Sequence, residues 1–478
     1  MIGIRFGVLV CVGLAMGNGQ WALGQSPTAQ PDWRTAEALI LTNHRQLTSR
    51  DMFTRAGEAY FNADSSMVIF QATPVPEGDA APSPHYEMFV APLGSALTTG
   101  NNGFDVIIEA GGENRIKILK IVRAATGLGL KDAKDMVDNL PATVKGQLSK
   151  DEASALAEEL RQAGADVKVA SDGSRLNTVI RVSTGGSANT CGWFHPIQAN
   201  IVLFGSTIEP PSADKVPGYQ RGTGRYAWSF PTEMEIVSGS ISSTIIPAEG
   251  EDGYHALRPA ITDAVFSKPG YTAEASWSPD GRTLLYAQVD EAKSDAAGRP
   301  DADLWAYDTE TGAHYMLVEA SGYDGGPFFS PDGTKICYRS DRAGNNLLQL
   351  FVADLKLNED GVPVGITKET QLTSNEHVNW APYWHPDGDL LVYATSQVGH
   401  RNYEVFAIWA DASKGTEPVR ITQASGADVL PVFSPDGRYL MWTAQRGELA
   451  PGEQRPSSQL WIAEVDSEAI RAKLREAN

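Results

Sequence analysis

The sequence predicts a mainly β fold: a six-bladed β-propeller, a small inserted α+β domain of order β-α-α-β-α-β, and an N-terminal signal peptide. Three observations carry this expectation. A short turn motif returns along the chain. Its rhythm breaks once, where helical periodicity takes over. The first residues form an apolar run behind a single positive charge.

The motif is clearest at 277–281, Trp-Ser-Pro-Asp-Gly, and returns at 329–333, 384–388 (as Trp-His-Pro-Asp-Gly) and 433–437. Its prolines, Pro279, Pro331, Pro386 and Pro435, lie 52, 55 and 49 residues apart. Proline presets φ at the first corner of a turn, aspartate bonds its own backbone, and glycine accepts positive φ. An apolar run before the turn and an aliphatic-aromatic run after it, such as Leu284-Leu285-Tyr286-Ala287, make each copy a β-hairpin. A third strand, such as 303–307 or 349–354, and a short fourth follow each hairpin. Four antiparallel strands in a repeat of roughly 50 residues define a propeller blade.

Two degenerate copies, at 60–65 and 190–196, bring the count to six, and the second blade carries a long insertion around 209–230. Gln46-Leu47-Thr48 matches the strands that precede later copies, Gln371-Leu372-Thr373 and Arg420-Ile421-Thr422. A strand of this kind ahead of the first blade completes the last one and closes the ring, which removes the exposed sheet edge. The expected divisions are a signal peptide at 1–24, an N-terminal segment at 25–43 with a short helix over 33–41, and propeller at 44–101 and 171–466. A terminal helix begins at 467.

Residues 102–170 lose the hairpin pattern. A strand over 104–110 leads to a helix over 115–125, in which Ile116, Leu119, Ile121 and Val122 are apolar. Gly127-Leu128-Gly129-Leu130 turns into a second helix, stopped by Pro141. A strand over 143–148, a third helix ended by Gly164 and a strand over 166–170 complete the unit. Insertions of this kind are tolerated at exposed loops whose ends lie close together.

Residues 1–24 read as an export signal: Arg5, an apolar core over 8–16, and Ala22-Leu23-Gly24 before a cleavage at Gln25. The core is too short to span a bilayer, and an uncleaved anchor is the alternative. The expected location is periplasmic or otherwise exported, with no membrane span after cleavage. Cys191 and Cys337 fall in different repeats and are not expected to pair. The formal net charge of −20 speaks against nucleic-acid binding. That charge is uneven. Residues 102–170 hold 11 acidic and 10 basic side chains, leaving 48 acidic and 29 basic to the rest of the chain.

The aromatic-Ser-Pro-Asp-Gly repeats resemble the TolB-type periplasmic propellers over 44–101 and 171–466. The resemblance implies a binding platform, although TolB proper carries an α/β domain for which residues 25–43 are too short. The insert resembles the C-terminal domain of the bacterial large-subunit ribosomal stalk protein. Phe104-Asp105-Val106-Ile107, the run Lys120 to Lys134 through Gly127-Leu128-Gly129-Leu130, Leu140-Pro141 and Ala163-Gly164-Ala165-Asp166-Val167 carry the likeness. In that family a basic-apolar helix face recruits translation factors. By position that face would be Arg115, Ile116, Leu119, Lys120, Arg123 and Lys134.

No Gly-x-Ser-x-Gly elbow, His-Glu-x-x-His, paired-cysteine motif or phosphate loop occurs, so the sequence gives catalysis and cofactors no support. His195 and His385 stand where serine stands in other turns and are expected to bond the turn backbone. Counting five residues back from each turn aromatic gives Ala56, Asn189, Thr272, Asp324, Asn379 and Asp428. The five polar members form an expected ring at the central channel, able to hold a cation, a small ligand or a peptide end; strand capping is the alternative. The expected function is a monomeric, non-enzymatic envelope scaffold for a protein or peptide. A small-ligand or cation sensor and a translation-associated protein are the alternatives.

Overall fold

The computed structural model describes residues 32–94, 104–171, 179–211, 228–241 and 263–478, apart from isolated positions, with a few short pieces between them. The signal-like segment 1–24 and most of the 209–230 insertion lie outside the described residues. Helices are α1 (Trp33–Glu37), α2 (Arg115–Thr126), α3 (Leu130–Asp138), α4 (Lys150–Gln162), α5 (Glu291–Ala297) and α6 (Ser467–Ala477).

The fold is mainly β, built of small antiparallel sheets. Six of them open on strands Phe53–Phe61, Asn189–Phe194, Thr272–Trp277, Asp324–Phe329, Asn379–Trp384 and Asp428–Phe433, and we number the sheets I to VI in that order. Each opening strand contacts the opening strand of the next sheet, and the sixth contacts the first, so the six form a ring about one axis. Apolar layers fill the spaces between sheets. Leu285, Ala287 and Leu304 meet Ile336, Tyr338 and Phe351 between III and IV. Leu390, Val392 and Val405 meet Phe433, Leu440 and Trp442 between V and VI.

The turn motif closes the hairpins as its chemistry dictates. Ser330 Oγ accepts from Lys335 N at 2.9 Å, and Asp332 Oδ1 accepts from Thr334 N at 3.0 Å. Gly281, Gly333, Gly388 and Gly437 all have φ near +70°, which glycine alone adopts without strain. His385 Nδ1 accepts from Asp387 N at 3.1 Å, and His195 Nδ1 from the amides of Ile197 and Gln198. Both histidines thus act as turn residues.

Sheet I is interrupted by the insert. Its third strand, Glu87–Pro92, and its fourth, Ile180–Arg181, pair with each other across the intervening domain. In the insert, Phe104–Ala110 lies between Ala142–Leu148 and Asp166–Ser171 in an antiparallel sheet. Ile118, Ile121 and Val122, spaced three and four apart, put one face of α2 into a core shared with Val106, Ala133, Ala157 and Val167. Gly127, left-handed at φ 72°, ends that helix.

The chain's two ends meet in sheet VI, where Leu41–Gln46 pairs antiparallel with Gln459–Val465. Beside this seam α1 inserts Glu37, which is 1% exposed. Arg446 donates to both Glu37 oxygens (2.6 and 2.9 Å) and also to Asp428, while His44 and the amide of Gln423 complete the shell of Glu37. Burial works to raise the Glu37 pKa, but the bonds from His44 and Arg446 outweigh it and hold the group ionised. At the other end, α6 buries Ile470 and Leu474 against sheets V and VI, each contributing about 1.5–3 kcal/mol. Removing the Arg446 guanidinium strands two buried carboxylates. Arg446→Met is therefore expected to cost about 3–5 kcal/mol, read as a lower urea midpoint at unchanged slope.

Candidate functional site

The opening strands carry a bulge at matching positions. Pairing slips between Gly57 and Ala59, Ala273 and Ser276, Gly325 and Phe328, Trp380 and Tyr383, and Val429 and Val432; in sheet II it slips opposite Cys191. Two residues then face one partner, which re-aims a side chain. The re-aimed residue is left-handed in five sheets: Cys191, Glu274, Gly326, Ala381 and Leu430 have φ between 48° and 58°. Glu58 holds this position in sheet I.

Three of these side chains are polar and come from adjacent sheets. Glu58, Cys191 and Glu274 lie close enough to feel one another's charge, together with Arg339 from the second strand of sheet IV. Glu274 is fully committed. Its oxygens accept from Tyr323 Oη (2.7 and 2.8 Å), Gly326 N (2.6 Å), Arg339 Nη2 (3.0 Å) and Tyr271 Oη (3.3 Å). Gly326 is required here, because a Cβ at that position would lie 2.0 Å from Arg339 Nη1. Glu58 accepts from Tyr60 Oη at 2.7 Å, and burial pushes its pKa upward. The same burial raises the Cys191 thiol and the Tyr60 phenol well above their ordinary values.

Two residues further along each strand the axis is plugged. Tyr60, Trp193, Phe328 and Tyr383, from sheets I, II, IV and V, stand 4.5–6.2 Å apart between ring centroids. Ser276 and Val432 hold the same position in the other two sheets. The channel is thus a cup with an aromatic floor.

The five residues expected at the channel lie two positions before the bulge, and the structure does not gather their polar groups at the axis. All five are fully buried, and the side chains of four of them bond within or between sheets. Asn189 donates to Tyr86 O of sheet I (2.8 Å), and Asn379 to Gln349 of sheet IV (3.1 Å). Asp324 pairs with Arg342 and Asp428 with Arg446. Thr272 Oγ1 has no hydrogen-bond partner among the described residues. The residues that do converge stand three, not five, before the turn aromatic. Glu58, Cys191 and Glu274 were legible at that offset, but Arg339, on another strand, carries no such signal.

On the insert, Ile116 is 72% exposed, with Lys120 and Arg123 exposed on the same face of α2 at three- and four-residue spacing. Leu130, 58% exposed, and Lys134 add to it from α3. Arg115 pairs with Asp138, and Leu119 packs partly into the domain core. Elsewhere, His385, Asp387 and Asp389 are the one described group of metal-ligand type. The Arg471 guanidinium already bonds all three, which accounts for them as the anchor of α6.

The rings of sheets and the small three-stranded domain define two classes of structure in one chain. Residues 104–170 match the ribosomal protein L7/L12 C-terminal domain. Through this stretch the chain belongs to that family. It is 40% identical over 114 residues to large ribosomal subunit protein bL12 of Idiomarina loihiensis, covering 24% of this chain and 79% of that protein. It is 59% identical over 66 residues to bL12 of Chlorobium luteolum, covering 14% and 54%. For bL12 of Chlorobaculum tepidum the figures are 51% over 83 residues, 17% and 66%, so the chain spans from about half to about four fifths of the length of these relatives. Among solved structures, TolB of Acinetobacter baumannii superposes with TM-score 0.39 at 13% identity, over 92% of this chain and 86% of that one. Oligogalacturonate lyase of Vibrio parahaemolyticus gives 0.40 at 10% identity, over 89% and 94%.

Burial raises the Asp324 pKa to about 6 despite Arg342. The unfolded value is near 4, so the native state binds this proton more tightly and stability falls as pH rises from about 4 to about 6. Asp324→Asn is expected to remove up to about 3 kcal/mol of that decline, measured by urea unfolding at the two pH values.

Proposed function

We propose that the chain is an exported, non-enzymatic six-bladed propeller, monomeric, that binds a protein or peptide at its channel face and carries the L7/L12-like domain as a second docking surface. The observation that carries this reading is the cup: polar side chains from three adjacent sheets and an arginine from a fourth face one axial space over an aromatic floor. The expected polar ring, Asn189, Thr272, Asp324, Asn379 and Asp428, braces the opening strands around that cup. The cyclic contact of six opening strands supports the blade count. No helix among the described residues is long and apolar enough to cross a membrane.

On the insert, the exposed Ile116 and Leu130 ringed by Lys120, Arg123 and Lys134 suit an acidic-apolar partner surface. The match to bL12 favours a second reading, in which this face meets a translation factor inside the cell. Export decides between them. A fusion of residues 1–40 to an export-dependent reporter is expected to be active; an inactive fusion favours the translation-linked reading. Lys120→Glu with Arg123→Glu is expected to remove a partner captured from envelope extract through the insert, and retention of the same partners would count against that surface.

A further inference from the structure

The cup holds two carboxylates and one guanidinium. Arg339 and two tyrosines occupy Glu274 completely, whereas among the described residues Glu58 accepts only from Tyr60 and Cys191. A carboxylate offers about four acceptor positions, so Glu58 keeps acceptor capacity toward the axis. Glu58, Cys191 and Tyr383 each retain accessible surface. Unfilled space therefore lies beside them. Trp193 and Phe328 also keep accessible surface, and the apolar Ala381 and Leu430 hold the bulge position in sheets V and VI.

A carboxylate beside aromatic faces is the combination that holds an organic cation, by charge pairing and by the attraction of a cation within about 6 Å of a ring centroid. A metal ion fits less well, since Glu58, Cys191 and Glu274 do not come close enough to share one. An anion would have to compete with Glu274, which already pairs with Arg339 Nη2.

We infer that the cup receives a primary ammonium group, a lysine side chain or amino terminus of the bound peptide, paired to Glu58 and laid against Tyr60, Trp193, Phe328 and Tyr383. This rests on the peptide-binding reading above and names the chemistry that such a peptide must bring.

The test is calorimetric titration of the purified full chain with four probes. These are an end-capped hexapeptide with one central lysine, its Nε-acetyl-lysine counterpart, and a lysine-free hexapeptide with a free or an acetylated amino terminus. Binding of the lysine peptide is expected to weaken at least tenfold on acetylation and at least tenfold in Glu58→Gln. Asp332→Asn, which removes an exposed turn acid, is expected to leave it unchanged and so exclude general attraction to an acidic protein. The two lysine-free peptides distinguish a terminal amine from a side chain. Leu430→Lys, which supplies an ammonium from within, is expected to abolish binding even if Glu58→Gln does not fold. Equal binding of the lysine and acetyl-lysine peptides together with equal binding of the free and acetylated-terminus peptides, or undiminished binding by folded Glu58→Gln, overturns the inference. If an envelope protein is captured but the lysine peptide does not compete with it, the scaffold reading stands and the ammonium site falls. If the lysine peptide binds through Glu58 while no envelope protein is captured, the reverse holds.

Discussion

Ring closure is the constraint on which the rest depends. Six sheets can share one axis only if the last is completed, and the strand that completes it comes from the beginning of the chain. Its hydrogen bonds remove two open edges at once. The Glu37–Arg446–Asp428 cluster beside the seam then fixes how the two ends register, because three buried charges tolerate only a geometry in which each is matched. With the ring held shut, the bulged strands are brought together and the cup exists. An open array of the same sheets would have no axis on which Glu58, Cys191, Glu274 and Arg339 could meet.

The bulge explains how one repeated unit serves two purposes. Regular pairing in each sheet buries the residues two positions earlier, where asparagine and aspartate stitch neighbouring sheets together. The extra residue interrupts that pairing and turns a side chain to the axis. Left-handed φ at Glu274 or Leu430 costs energy that the surrounding sheets sustain. Identity at this position differs from sheet to sheet, unlike the turn glycines, which share one conformation and one residue type.

Much of this was legible in the sequence. The turn motif, the strands around it, the closing strand (expected at 46–48 and found at Leu41–Gln46) and the inserted domain follow from local chemistry: proline and glycine at fixed offsets, and a switch from hairpin spacing to helical spacing. The cup was less legible. Counting back from the turn aromatic presumes unbroken alternation, and the bulge breaks it, so the count settled on Asp324 and Asn379 instead of Gly326 and Ala381. Arg339 was invisible because nothing in a linear pattern links it to Glu274, 65 residues away. The face expected on the insert came from the family resemblance. Of the residues it named, Ile116, Lys120 and Arg123 are exposed on one face of α2, whereas Leu119 turns partly inward; Leu130, exposed beside them, was not named.

The seam has a consequence in time as well as in space. Leu41 pairs with Val465, so the first of the described strands must wait for the last of them before it finds its neighbour. Contacts this distant along a chain are slow to form. Until then the strand's backbone edge and the buried face of Trp33 stay open to other chains. A nascent copy of this protein is therefore most vulnerable to aggregation through its own beginning, and a holdase that covers residues 33–47 until the C-terminal helix is released would protect the whole ring.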